Sequence, residues 1–408
     1  MSEERWDRLW TGVELATMTD AGLGIVPDGA IAAAGGRIAW VGREEGLPPG
    51  AQDRAAEVIP CGGAWMTPGL IDCHTHIVFG GDRISDFRRR LQGRSYAEIA
   101  RAGGGIMSTV RATRRASSEE LTRRAAARGR ELADWGVTTI EVKSGYGLDV
   151  ETELRMLEVA ASLREHLRAD ISPTLLAAHS VPPEYAGRRG DYLRVVVEEI
   201  LPAVLQQGHA MSIDVFCEDI AFTPAESRLV LEAGISAGLD GRVHADQLSD
   251  MGGGALAAAV GARSADHLEY LSREGVEAMA AAGVSAVLLP GAAYTLGAER
   301  KPPVGALRRA GVAMAVATDA NPGSSPITCV GMILNLACIQ FGLTPEEALL
   351  GFTAAAAQVL GMHDDRGTLE PGKRADLALW DVDDLAELCY RVGASPLKSL
   401  VKDGVPAD

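Results

Sequence analysis

The 408-residue sequence has no CxxC pair; its six cysteines, Cys61, Cys73, Cys217, Cys329, Cys338 and Cys389, are scattered. In a chain this long that pattern reads as free thiols in a reducing compartment. No apolar run approaches the roughly 18–20 residues of a membrane span. The opening residues, MSEERWDRLW, are charged and lack a signal peptide's apolar core, so a cytoplasmic location is expected. Positive charge is not in excess either. The net charge is −16 and the pI about 5.0, which argues against nucleic acid or an anionic membrane, since both need a basic face. A small anionic substrate stays open, because one local arginine can receive it. Neither glycine cluster, AGGGIM nor DMGGGAL, runs into Gly-Lys-Ser/Thr, so neither is a phosphate loop. The first reads as a substrate-covering loop, the second as the start of a helix.

What is present is an ordinary enzyme-like composition, 47% hydrophobic and 23% charged. Its length fits roughly two or three domains, or one large α/β barrel with an appendage. Helix starts are marked at Ser117 to Glu120, Thr223 to Glu226 and Thr344 to Glu347, the last two with proline at the first helical position. Between helical stretches lie eight apolar segments: LIDCHTHI, TTIEVKSGYG, ISPTLLAAHS, SIDVFCEDI, GRVHADQLS, ARSADHLEYL, SAVLLPGAAY and VAMAVATDANPG. They are continuous apolar runs, as parallel strands covered on both faces should be. Eight strand–helix units over about 250 residues match a closed (β/α)₈ barrel of the TIM type, whose active site lies at the C-terminal ends of its strands. The chain ends differ. AIAAAGGRIAWVG carries a hairpin turn, and GTLEPGKRADLALWDV and SLVKDGVPAD have strand and turn chemistry. The expected organisation is therefore α/β: a barrel over residues 65–365, and a small discontinuous β-sandwich built from residues 1–64 and 366–408.

Five of the eight histidines, His74, His76, His179, His244 and His267, fall near the ends of the expected barrel strands, and the eighth strand ends in Asp319. His166, His209 and His363 lie in helix or loop context and read as surface or locally satisfied histidines. Residues i and i+2 of a strand share a face with Cα atoms about 6.5 Å apart, close enough for two imidazoles to converge on one ion. Cys73, between them, should face the other way. His-x-His alone is a weak signal. Joined to His244 and Asp319 at the same barrel end, it becomes a metal site suited to zinc or iron. Such an ion lowers the pKa of bound water toward 7 and polarises a carbonyl.

PGLIDCHTHIVFGG, EVKSGYG, HADQLS, SADHLEY and ATDANPGSSP resemble the amidohydrolase superfamily and, within it, the imidazolonepropionase family. The resemblance runs over essentially the whole chain; KSGYG, DANPGSSP and GGGI at 103–106 are its more specific parts. It implies hydrolysis of 4-imidazolone-5-propanoate to N-formimidoyl-L-glutamate in histidine degradation, with one Zn²⁺ or Fe³⁺/Fe²⁺ per chain. It implies Arg83, Tyr146, His179, Gln247, Asn321, Gly323 and Ser324 as substrate contacts. Arg83 suits the substrate carboxylate, and the turn at 321–324 offers N–H groups to an anion. Asp319, His267 and His179 are the expected catalytic residues, with Asp319 both ligand and proton carrier.

Two departures matter. The fourth strand segment, DVFCEDI, has no lysine to be carbamylated between two metals, so one metal is expected, and Lys143 on the second strand reads as an electrostatic or hydrogen-bonding residue. Position 247 is glutamine where some relatives have glutamate, and an amide cannot shuttle a proton. A nucleobase or pterin deaminase on the same metal is the nearest alternative, and a non-catalytic barrel scaffold the remoter one. A homodimer is the expected assembly.

Overall fold

The computed structural model describes residues 5–19, 22–94, 98 and 102–407. The first residues of the chain, 1–4, lie outside the described residues. Two sheets organise the rest. One collects β1 (Trp6–Ala16), β2 (Ile25–Ala34), β3 (Arg37–Arg43), β4 (Ala55–Pro60) and β5 (Trp65–Pro68) from the first part of the chain, with β14 (Leu377–Trp380), β15 (Leu397–Lys402) and β16 (Val405–Pro406) from the last. The β2–β3 hairpin turns at Gly35 and Gly36, both left-handed (φ 56° and 77°), the conformation a two-residue hairpin demands and glycine supplies. β1 is long enough to pair antiparallel with β2 on one side, and on the other with β4 and then β5, both parallel.

This sheet curls back on itself. Ile38 N–H donates to Lys373 O, Gly372 N–H to Ile38 O and Ala375 N–H to Gly36 O, at 2.8–2.9 Å. The fold-back buries Trp10, Val13, Leu15, Ile31, Ile38, Met66, Leu377, Leu379 and Val401 in one cluster. The expected sandwich is thus a single continuous sheet folded over its own core.

The eight apolar segments each supply a strand of the second sheet: β6 (Leu70–Asp72), β7 (Val137–Lys143), β8 (Asp170–Ala178), β9 (Ser212–Cys217), β10 (Asp240–Ala245), β11 (Ser264–His267), β12 (Ser285–Leu288) and β13 (Met314–Val316). They pair in parallel and in chain order. A parallel bridge between Thr75 and Ala320 joins the first strand to the last. His76 N–H donates to Ala320 O and Asp319 N–H to His74 O, both at 3.0 Å. Below them the buried Asp72 carboxylate accepts from Thr318 N–H at 3.1 Å and from its hydroxyl at 2.5 Å. The barrel is therefore closed by the residues that flank its histidines.

Helices follow the strands as the caps predicted. Thr223 and Thr344 form complete capping boxes with Glu226 and Glu347. Ser117 accepts from Glu120 N–H, but the Glu120 carboxylate turns to Arg124 instead, so that box is half made. Both glycine clusters lead into helices, Ile106–Arg115 and Gly253–Val260. LIDCHTHI is strand only to Asp72; beyond it Thr75 O still accepts from Lys143 N–H of β7 at 2.9 Å while the flanking residues also bond to 319–320.

Candidate metal centre and active site

Three side chains from two distant parts of the chain meet at the C-terminal mouth of the barrel. His74 and His76 leave the end of β6, and His244 is the penultimate residue of β10. The Nε2 atoms of His74 and His76 are 3.3 Å apart, and those of His76 and His244 3.4 Å. Asp319 Oδ1 lies 3.4 Å from His76 Nε2 and 3.6 Å from His74 Nε2. All four residues are buried, and the three histidines could hold an ion together. An ion bound tetrahedrally at 2.0–2.1 Å separates its donor atoms by about 3.3–3.4 Å, and the His74–His76 and His76–His244 pairs stand at that spacing. Cys73 packs away from it, with Ile71, Ala356 and Ala357.

A layer of charge orients the rings: Lys143 has the electrostatic place expected of it, and its acids Asp214, Glu141 and Asp266 are additions to the expected site. His74 Nδ1 is 2.6 Å from Asp266 Oδ2, and His244 Nδ1 is 3.0 Å from Asp214 Oδ2. A carboxylate on Nδ1 leaves Nε2 as the lone-pair atom facing the ion. Lys143 Nζ sits among these acids, 2.8 Å from Asp214, 2.9 Å from Glu141 and 4.0 Å from Asp266, every one of them fully buried. Glu141 also accepts from Thr75 N–H, between the two histidines. The signal was there to read: acids inside runs otherwise fit for buried parallel strands, as in TTIEVK and SADH.

Burial sets the protonation pattern. It drives His74 and His76 well below the ordinary histidine range, helped by Lys143 and by the neighbouring rings, which favours the neutral imidazole that a metal requires. His267 is lowered by the same desolvation. At His244 burial also opposes the charge, but Asp214 outweighs it and the pKa rises. Asp319 is pushed up to about 7 by desolvation, against the opposing pull of His244 and Asn321.

His267, His179 and Tyr146 lie beside this centre. His267 ends β11 with φ 79°, and Asp319 has φ 51°; such left-handed non-glycine residues cost about 1–3 kcal/mol each and gather at functional sites. The His267 ring lies 5.4 Å from that of His244 between centroids, and its buried Nδ1 makes no hydrogen bond. The His179 ring stacks on His76 at 5.5 Å, with Tyr146 5.5 Å away on another side. His179 Nδ1 is 3.1 Å from Gly145 O. A carbonyl can only accept, so Nδ1 carries the proton and Nε2 is an acceptor. Burial takes His179 down to about 3, which keeps it in that form. Gly145 permits this approach: at φ 102°, a side chain there would stand 2.9 Å from His179 Nδ1.

Arg83 lies in the loop after β6, its Nε 2.5 Å from Asp86, whose same oxygen accepts from Gly105 N–H in the glycine-rich segment. A Cβ on Gly323 would come within 3.2 Å of Arg83 Nη1, so that glycine leaves room for the guanidinium. The turn at 321–324 differs from expectation. The N–H groups of Gly323 and Ser324 both donate to Asn321 Oδ1 at 2.8 Å, so they are occupied within the turn and not offered to an anion. Gln247 is half-buried on the loop after β10. His166, His209 and His363 stand apart from the cluster, exposed or half-buried.

Comparison with known proteins agrees with this geometry. A model described as "Amidohydrolase family" matches residues 96–389. The chain is 53% identical to an imidazolonepropionase of Ralstonia nicotianae over 100% of both chains. It is 50% identical to one of Colwellia psychrerythraea over 98% of this chain and 97% of that one. Among solved structures, a Xaa-Pro dipeptidase is 16% identical with a TM-score of 0.71, covering 98% of this chain and 99% of the other, a likeness of fold alone. The chain belongs to the amidohydrolase family and, within it, to the imidazolonepropionases.

Proposed function

We propose that this chain hydrolyses 4-imidazolone-5-propanoate to N-formimidoyl-L-glutamate, and that His74, His76, His244 and Asp319 hold one zinc or iron ion for the purpose. The observation that carries the reading is the meeting of three buried histidines in the barrel mouth, with His76 Nε2 3.3–3.4 Å from those of His74 and His244 and Asp319 Oδ1 3.4–3.6 Å from His76 and His74. When bound, the ion supplies Lewis acidity to water and to the ring carbonyl. Water adds to that carbonyl carbon, the ring C–N bond breaks, and the nitrogen leaves with a proton. Asp319, whose Oδ1 stands 3.4–3.6 Å from the ring nitrogens of His76 and His74, is placed to carry that proton from water to nitrogen. His267 offers a free ring nitrogen to the developing oxyanion, a role that gains strength in a dry site. His179 presents Nε2 as an acceptor, which fits a ring N–H of the substrate.

Arg83 is assigned to the propanoate. Asp86 engages its Nε and leaves the Nη groups to meet a carboxylate. Tyr146, Gln247, Asn321, Gly323 and Ser324 complete the assigned contacts, Gly323 and Ser324 through groups other than the N–H groups that Asn321 holds, with Gln247 as a hydrogen-bonding group and not a base. A cationic clamp of this kind favours an anionic substrate over the planar neutral base of a deaminase. We assign residues 65–365 to catalysis, and residues 1–64 with 366–408 to one accessory unit; β5, at the start of the catalytic range, pairs with β1 and β14 in the accessory sheet and so joins the two. The expected setting is cytoplasmic and homodimeric, without nucleic acid or membrane. No helix among the described residues is long and apolar enough to cross a bilayer.

The deciding assay incubates metal-replete protein with 4-imidazolone-5-propanoate and follows N-formimidoyl-glutamate. Product should form, cease after chelation and return when zinc or iron is restored. Absence of product from metal-replete protein overturns the assignment.

A further inference from the structure

Glu218, just beyond the end of β9, is buried and has no part in the chemistry above. Its carboxylate gathers the loop that follows β10. Oε2 accepts from the N–H groups of Gln247 at 3.1 Å and Leu248 at 2.8 Å. Oε1 accepts from Asp219 N–H at 3.2 Å and from the Ser249 hydroxyl. These two backbone N–H groups find no other acceptor among the described residues. The other end of the same loop is fixed separately. Asp246, at φ 50°, accepts from the N–H groups of Met251, Gly253 and Gly254 at 2.9–3.0 Å.

The loop therefore starts two residues after His244, is pinned on both flanks, and presents Gln247 between the pins. The Gln247 side-chain amide itself has no hydrogen-bond partner among the described residues. A fixed backbone with a free amide is the arrangement of a group held ready for a ligand, since ordering the loop beforehand removes that entropy from the binding step.

We propose that Glu218 is a positioning residue for substrate recognition: it acts through the backbone of residues 247 and 248 and the Ser249 hydroxyl to hold the Gln247 amide in place. This rests on the reading of Gln247 as a substrate contact. Only a carboxylate can serve all these donors, because one half of a glutamine amide would turn N–H groups toward N–H and O–H donors.

The test measures KM and kcat for 4-imidazolone-5-propanoate, with metal content per chain, in Glu218→Gln, Gln247→Ala and the double variant. Glu218→Gln should raise KM about tenfold, the scale of one charge-assisted hydrogen bond, with kcat and metal content changed far less. Gln247→Ala should raise KM by a similar factor, and the double variant should be no worse than Gln247→Ala alone. Multiplying effects in the double variant would mean general loosening and would overturn the proposal. So would an unchanged KM in Glu218→Gln beside a raised KM in Gln247→Ala. An unchanged KM in Gln247→Ala overturns the substrate-contact reading itself, and the Glu218 role with it. Should Glu218→Gln not fold, Ser249→Ala removes one donor from Glu218 Oε1 and leaves the rest. It should raise KM about two- to threefold, and not at all in the Gln247→Ala background; a rise that persists there refutes the proposal.

Discussion

Removing Lys143 would test whether the buried charge layer is held by its single cation. At an effective dielectric of about 20, the contacts at 2.8 and 2.9 Å to Asp214 and Glu141 are each worth roughly 6 kcal/mol of gross attraction, and the 4.0 Å contact to Asp266 roughly 4. Burying the four charges opposes most of that gain. In the folded protein the attraction prevails, since the Lys143 pKa is raised despite burial, by Asp214, Glu141 and Asp266. Lys143→Met deletes the cation and leaves three buried carboxylates without it. Losing one partner of a buried pair destabilises by about 3–5 kcal/mol. For a 408-residue chain with an unfolding entropy of about 2.1 cal/mol/K per residue, that lowers Tm by roughly 4–6 °C. Calorimetry after exhaustive chelation is the assay, so that bound metal does not add its own stabilisation. Lys143→Met/Glu141→Gln removes one charge of each sign and should recover at least half of the loss. A single variant within 1 °C of the parent, or a double variant less stable than the single, would refute the reasoning.

Two further outcomes follow from the same geometry. Arg83→Ala should raise KM for the propanoate substrate about 10- to 100-fold with a smaller change in kcat, and Arg83→Lys should restore only part, since an ammonium cannot reproduce the planar fork; steady-state kinetics showing an unchanged KM would remove Arg83 from the substrate clamp. Glu269, buried with an unpartnered Oε2, is pushed up to about 8 by burial and then by the charges of Asp319 and Glu218. The folded chain therefore holds this proton more tightly than the unfolded chain. Stability falls as pH rises toward 8, by about 1.4 kcal/mol for each pH step between the ordinary carboxylate range and that point. Glu269→Gln should flatten this slope and leave the protein several kcal/mol more stable than the parent at pH 9. Denaturant melts of chelated protein at pH 5, 7 and 9 that run parallel for the two would contradict the placement.

The barrel was legible in the sequence because parallel strands covered on both faces must be apolar throughout. That requirement marks eight segments whatever their surroundings, and β7 shows its limit. All seven of its residues are buried, yet they include Glu141 and Lys143, whose charges are tolerable only beside each other and Asp214. A single strand cannot reveal a partner that lies on another one. His74 and His76 were legible as a pair, although not as residues beyond the strand's end, because the bridge from Thr75 to Ala320 depends on two segments some 245 positions apart.

What the sequence determined by itself was the set of chemical groups and their periodic placement. Histidines and an acid at strand ends follow from local pattern, and an arginine two glycines further on needs only the chain's own order. What only the tertiary structure decided was which face each group shows and what holds it there. Asp266 on His74, Asp214 on His244 and Glu218 beneath Gln247 are contacts across strands, and their strength depends on water being absent. Burial creates that condition, and burial belongs to the folded whole.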